Sequence, residues 1–180
     1  MRVLVPLAEG FEEMEAVILL DVLRRGGIEA LAVAMGAARE VAGAHGLTLL
    51  ADTIWTEIDP AGFDMIAIPG GMGNTRRLQK DERLLKMLRE YHEGGKPLAA
   101  ICAAPLVLQS AGLLKGRTVT CHPGVAEEMT DAKRLDDRVV VDGKIITSQG
   151  PGTSFDFALA IVRRLVGEAK AGEIAGGMVL

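Results

Sequence analysis

Cys102 ends a short run of small apolar residues, Pro97–Cys102, and Ala103-Ala104-Pro105 carries the chain at once into a helical pattern. A strand that becomes a helix over so few residues must turn sharply. The turn presents its side chain at the end of the sheet, which is the geometry of a nucleophile elbow. A helix N-terminus behind the sulfur favours the thiolate, so a lowered thiol pKa is expected. The competing reading is an inert, buried cysteine; the tight joint favours the nucleophile.

Other segments offer groups that such a sulfur would need. Gly70-Gly71 ends a second apolar run, and glycine there lets the backbone approach a ligand. The Gly71 N–H together with that of Ala103 would form an oxyanion hole. Glu9, Glu12, Glu13 and Glu15 crowd the start of a helical pattern. Most of such a run reads as a solvated helix start, where acids suit the dipole. A carboxyl group among them that faces the cleft would act as general acid or base. His122 stands before Pro123 at a strand end; it is either a structural histidine or one that activates or orients the thiolate. Cys121 is its neighbour, and adjacent strand residues point to opposite faces, so Cys121 reads as core, with a resolving thiol as the lesser alternative. A metal site of Cys102, His122 and Glu15 has no paired spacing behind it, and no metal or other cofactor is expected. Gly71-Met72-Gly73 lacks the rest of a dinucleotide fingerprint and no Walker lysine follows, which disfavours nucleotides.

Short β-branched runs alternate with longer helical patterns. Strands are predicted at Val3–Leu7, Glu29–Met35, Asp64–Pro69, Pro97–Cys102 and Arg117–Cys121, with a short ribbon near Leu47–Ala51. Helices are predicted at Glu12–Arg25, Asp81–Glu93, Ala104–Ala111 and Thr153–Val166, the last opened by Thr153 and Asp156 at capping-box spacing. Asp142-Gly143 between Arg138 and Ser148 is a hairpin signal. The small, apolar stretch Glu168–Leu180 reads as a docking helix or an intersubunit contact. This alternation predicts an α/β fold, a doubly wound, mostly parallel sheet with helices on both faces. Ligand sites in such folds lie beyond the carboxyl ends of the strands. Those ends carry Glu9 to Glu15, Pro69 to Gly73, Cys102 to Pro105, His122-Pro123 and Gly150-Pro151-Gly152, so Gly70, Gly150 and Pro151 are placed in the substrate pocket.

The 180 residues fit a single domain, 1–180, that buries about 70% of its unfolded surface without disulfide staples. A net charge of −4 with no basic tract gives no pull toward nucleic acid or anionic membrane, and one Trp, one Tyr and four Phe leave little for base stacking. No apolar run reaches the ~20 residues of a spanning helix, and Met1-Arg2-Val3-Leu4 is no signal peptide. The expected location is therefore cytoplasmic, where two cysteines read as free thiols.

Taken together the segments resemble the ThiJ/PfpI superfamily, on the branch of the parkinsonism-associated protein deglycase. The resemblance rests on Glu-Glu-Met-Glu at 12–15, Asp21 with Arg24-Arg25-Gly26, Pro69-Gly70-Gly71, Ala100-Ile101-Cys102-Ala103, His122-Pro123, and the stretch from Ser148 to Ala160. It implies a flavodoxin-like three-layer sandwich that forms a homodimer. It also implies Cys102 as reactive cysteine, Glu15 as the carboxyl group touching its sulfur, Gly71 and Ala103 as oxyanion donors, and His122 close by. The implied activities are cofactor-independent conversion of methylglyoxal to lactate (glyoxalase III type) and deglycation of proteins or amino acids, with protection against oxidative stress. The alternative is a redox-sensing chaperone whose cysteine oxidises to sulfinic acid. Two departures bear on this. Ala104 replaces the glycine usual after Cys-Ala, and His45 and Gln149 stand where some relatives carry arginines, which weakens the case for an anionic ligand. The peptidase branch has histidine directly after the cysteine; Ala103 there disfavours a cysteine peptidase.

Overall fold

The computed structural model describes all 180 residues. The chain forms β1 (Arg2–Leu7), α1 (Glu13–Arg25), β2 (Glu29–Ala34), β3 (Glu40–Ala42), β4 (Thr48–Leu50), β5 (Thr53–Ile54), β6 (Met65–Ile68), α2 (Met72–Leu78) and α3 (Glu82–Glu93). It continues through β7 (Leu98–Ile101), α4 (Pro105–Ser110), β8 (Thr118–Val119), β9 (Lys133–Arg134), β10 (Val139–Asp142), β11 (Ile145–Ser148), α5 (Ser154–Val166) and α6 (Glu168–Gly177).

Seven strands make one sheet in the order β10-β11-β7-β6-β1-β2-β5, and only β10 runs antiparallel. The strands are buried on both faces, which is why they read as continuous apolar runs rather than alternating ones. Val3, Val5 and Leu7 of β1 face a core built with α1, α5 and α6, while Leu4 faces the second core with α3 and α4. Helices thus cover both faces, as the alternation predicted, and the layering is flavodoxin-like. The order reverses between β1 and β6. The carboxyl ends of β1, β6, β7 and β11 lie along one edge there, where this topology opens a crevice.

Several expectations were met locally. Pro105 occupies the first turn of α4, and Asp81 caps α3 by accepting from the Arg83 and Leu84 N–H groups. Gly143, at φ +61, turns β10 into β11. Both cysteines are free. Others were not. The run Arg117–Cys121 yields only Thr118–Val119, paired with Lys133–Arg134 outside the main sheet, because the β10–β11 hairpin already occupies the place beside β7. The capping box at Thr153 and Asp156 does not form. The Thr153 hydroxyl instead bonds Gly150 and Ser148, and Asp156 pairs with Arg138 at 2.6 Å. The Glu168–Leu180 stretch is indeed largely helical, but Ala171 and Ile174 pack into the chain's own core, leaving Val179 and Leu180 exposed. No helix is long and apolar enough to cross a membrane.

Helix α2 was not foreseen. Gly71 precedes it, and Gly73, Asn74, Arg76 and Arg77 give it no apolar stripe; Leu78 is the one hydrophobic side chain it buries. It forms because its polar residues bond neighbouring loops.

Candidate active site

Cys102 joins β7 to α4 and is held at φ +66, in the left-handed region that non-glycine residues seldom occupy. Such strain persists only where surrounding bonds fix it. Here the Cys102 N–H donates to Ser148 O at 3.0 Å, and its carbonyl accepts from the His122 N–H at 2.8 Å. The turn aims the half-buried side chain at the crevice. The Gly71 and Ala103 N–H groups face its sulfur.

Glu15 comes from the first turn of α1 and is 1% exposed. Its Oε2 accepts from the Gly70 N–H at 2.7 Å, while its other oxygen is buried without a well-formed hydrogen bond. The Cys102 thiol lies against the same carboxyl group. Gly70 makes this approach feasible. A Cβ there would stand 2.6 Å from the Cys102 Cβ and 2.7 Å from Glu15 Oε2.

The electrostatics differ from the sequence expectation. Burial pushes the Cys102 thiol up to about 12, and the Glu15 charge and hydrogen bond act in the same direction. The Gly71 and Ala103 N–H groups oppose this and lose. Helix α4 has six residues, too few for its dipole to reverse the balance. Burial also raises Glu15, to about 7, with the Glu12 charge adding to the rise and the Gly70 N–H opposing it. The two groups therefore hold one proton between them from about pH 7 to about pH 12. With the proton on Glu15 the sulfur is a thiolate facing two N–H donors. With the proton on sulfur the carboxylate keeps the Gly70 N–H.

The run of glutamates is not the solvated helix start that its composition suggested. Only Glu9 is exposed, paired with Arg77. Glu12 caps α1, its Oε2 accepting from the Glu15 N–H at 2.6 Å, and so fixes the turn that carries Glu15. Glu13 is buried and clamps the β3–β4 hairpin: it accepts from the His45 N–H at 2.6 Å and meets His45 Nδ1 at 2.9 Å. Burial works against the Glu13 charge, but the hydrogen bonds from the His45 ring and backbone bring its carboxyl to about 2, and in return raise the His45 ring. The clamp is thus whole above the ordinary carboxylate value of 4.5 and below the ordinary imidazole value of 6.5. It weakens as pH falls toward 2 or rises through the raised His45 value. An NMR titration of His45 is expected to give a midpoint above 6.5 that drops back in Glu13→Gln; a wild-type midpoint at or below 6.5 contradicts the ion pair.

His122 is exposed at the rim. Its Nδ1 accepts from the Gly124 N–H at 3.0 Å, leaving Nε2 as the free ring nitrogen. Gly150 packs against the His122 ring, and Pro151 follows it in the chain. Gln149 donates to Asp136 O, and the His45 ring is taken by Glu13, so neither replaces an arginine as an anion donor. Cys121 is a core residue whose thiol burial pushes up, against the pull of Arg134. Cys102, His122 and Glu15 do not converge as a ligand set. Glu12, Glu13 and His45 do, within 4.8 Å, but through atoms already spent on the cap and the clamp.

Gly71, at φ +85, sits where a Cβ would be 2.2 Å from Gly10 O and 2.6 Å from Glu12 N, both backbone. Gly71→Ala combines a conformation meant for glycine with an unrelievable overlap and is expected to destabilise by about 3 kcal/mol or more. Gly152→Ala, with nothing within 4 Å of its Cβ, is the matched control and should change stability by less than about 1 kcal/mol. Equal denaturation midpoints for the two variants would refute the packing argument.

One buried polar residue beside the site escaped sequence reasoning altogether. Asn74 is fully buried and bonds three backbone groups at the ends of β1 and β6. Its only sequence signal is a carboxamide one turn after a Gly-Gly.

The chain is similar to known proteins in sequence and in fold. The chain is 43% identical over 170 residues to Protein DJ-1 homolog B of Arabidopsis thaliana, covering 94% of this chain and 39% of that relative. It spans less than half the length of this relative and of the related Arabidopsis homolog A. It is 39% identical over 168 residues to the Caenorhabditis elegans glutathione-independent glyoxalase DJR-1.2, covering 92% of this chain and 89% of the relative. The crystal structure of Drosophila melanogaster DJ-1beta superposes with a TM-score of 0.96 at 37% identity, over 99% of this chain and 97% of that one. The DJ-1/PfpI family model matches residues 1–164, from β1 through most of α5, and so takes in every strand end described above. The chain belongs to the DJ-1/PfpI family.

Proposed function

We propose that this protein is a cofactor-independent cysteine enzyme that converts reactive dicarbonyls, methylglyoxal first among them, to hydroxy acids. The observation that carries the reading is the convergence on one sulfur of two backbone N–H donors and a buried carboxyl group raised to about 7. The glyoxalase name of the 39% identical relative supports it.

The thiolate of Cys102 adds to the aldehyde carbon while Glu15 delivers its proton to the oxygen, giving a hemithioacetal. The Gly71 and Ala103 N–H groups hold the developing oxyanion. The Glu15 carboxylate then takes the proton from the former aldehyde carbon, and the resulting enediol is reprotonated at the neighbouring carbon. The product is a lactoyl thioester on Cys102. Water cleaves it to lactate and restores the thiol, with His122 at the rim to assist. The net change is addition of one water, an internal oxidation and reduction that needs no external redox partner. Deglycation of adducts formed by the same dicarbonyls would use the same thiolate. The protein is expected to work in the cytoplasm as a homodimer.

The test is incubation of purified protein with methylglyoxal, without glutathione or added metal, following lactate by NMR and the Cys102 peptide by mass spectrometry after quenching. Lactate together with a lactoyl adduct on Cys102 is expected. Methylglyoxal consumed without lactate would overturn the reading.

A second reading has its own support. A sulfinate on Cys102 would find the Gly71 and Ala103 N–H donors and a protonated Glu15 around it, which suits a redox sensor. Mild peroxide should then add two oxygens to Cys102 and spare buried Cys121; equal oxidation of both would dismiss it.

A further inference from the structure

Two of the N–H groups that define the site belong to successive peptide units, and both units have glycine on their N–H side. The Gly70 N–H, of the Pro69–Gly70 peptide, donates to Glu15 Oε2, and the Gly71 N–H, of the Gly70–Gly71 peptide, faces the Cys102 sulfur. In a trans peptide the N–H and C=O point in opposite directions, so whatever holds the carbonyl sets the aim of the N–H. No cis peptide interrupts this chain. The Asn74 Nδ2 donates to Pro69 O at 2.8 Å and to Gly70 O at 3.2 Å, the carbonyls of these same two peptides. Its Oδ1 accepts from the Ala8 N–H at 2.8 Å, at the end of β1. A backbone donor on one side and two carbonyls on the other fix which carboxamide atom is which. The Glu12 N–H adds a second donor to Gly70 O at 3.2 Å, but Pro69 O depends on Asn74.

We propose that Asn74 is a positioning residue whose single carboxamide aims the Gly70 N–H at Glu15 and the Gly71 N–H at the Cys102 sulfur. Gly70 and Gly71 have no side chain to restrain them; Cys102 and Glu15 leave no room for one at Gly70, and the Gly10–Glu12 backbone leaves none at Gly71. The restraint has to come from the carbonyl side. The carboxamide supplies it and ties both peptides to β1, the strand that leads into α1 and Glu15. Asn74 touches neither sulfur nor substrate; it acts through the two peptides.

This inference rests on the Cys102–Glu15 site proposed above, but it can be tested without dicarbonyl turnover. The pH dependence of Cys102 alkylation by iodoacetamide is measured for wild type, Asn74→Ala and Asn74→Ser, each confirmed as folded by circular dichroism. Losing the aimed Gly71 N–H should disfavour the thiolate further in Asn74→Ala and lower the alkylation rate at a fixed pH below about 12 about tenfold. Asn74→Ser keeps a donor and should shift less. A folded Asn74→Ala with the wild-type profile overturns the proposal. If Asn74→Ala does not fold, the profile of Asn74→Ser decides in the same way. If neither folds, hydrogen exchange of the wild type decides: Gly71 N–H and Asn74 carboxamide protons as fast as exposed loop amides overturn it, and protection supports it. A wild type that makes no lactate but shows the alkylation shift loses the dicarbonyl reading and keeps Asn74 in its role.

Discussion

Cys102→Ala is expected to abolish lactate formation, with a loss of at least about a thousandfold and up to about a millionfold, the range found when a catalytic nucleophile is removed. The remaining groups bind and polarise a carbonyl but form no covalent intermediate, so little rate is left. The substitution should leave the fold intact. Alanine keeps the Cβ, and the bonds to Ser148 O and from the His122 N–H involve only backbone. The strain of φ +66 is shared by both residues and cancels in the comparison. Thermal midpoints within a few degrees, with turnover gone, are the expected pair of results. Lactate formed at more than a tenth of the wild-type rate would mean that the sulfur is not the nucleophile.

Glu15→Gln is expected to lower turnover by about 10²- to 10⁴-fold, the usual worth of a general acid–base, while making the protein more stable at neutral pH. The sign follows from the carboxyl group's raised value. Glu15 binds its proton more tightly in the folded state, at about 7, than at its ordinary 4.5. The native state holds the extra proton between these values, so stability falls as pH rises through that window. The penalty is absent below 4.5 and complete above about 7, where it amounts to about 3 kcal/mol. Glutamine keeps an oxygen for the Gly70 N–H but carries no charge. Glu15→Gln should therefore unfold about 5–10 °C higher than wild type at pH 8 and at nearly the same temperature at pH 4. A variant less stable than wild type at pH 8 would show that the buried charge is not a burden on the fold. Opposite changes in stability and turnover mark a residue kept for chemistry.

The parts of the site that rest on local rules were legible in the sequence. A six-residue apolar run closing on Cys102, with proline three residues on, leaves room for little but a sharp strand-to-helix joint. Gly70-Gly71 announced a close backbone approach. What local rules could not supply is anything set by contacts distant in sequence. Helix α2 lacks an apolar stripe because its polar residues face other loops, and Asn74 looks like any helix asparagine until Ala8, 66 residues away, meets it. Glu12 and Glu13 read as solvated because nothing nearby says that one is a cap and the other a clamp on residues past 40. The thiol was expected to be acidic from its helix, but burial and Glu15, each a consequence of tertiary packing, outweigh that dipole.

The parallel sheet also sets when the Cys102 site is assembled. β1 is made first, Gly70-Gly71 and Cys102 follow, and the Ser148 carbonyl that holds the Cys102 turn belongs to β11, the last strand of the sheet. On a chain still being synthesised Cys102 is an ordinary cysteine, with no left-handed turn, no aimed N–H groups and no carboxyl partner. Pairings so distant along the chain close slowly and together. The Cys102 turn and the groups around it are therefore a late product of folding, assembled only once residue 148 has joined the sheet.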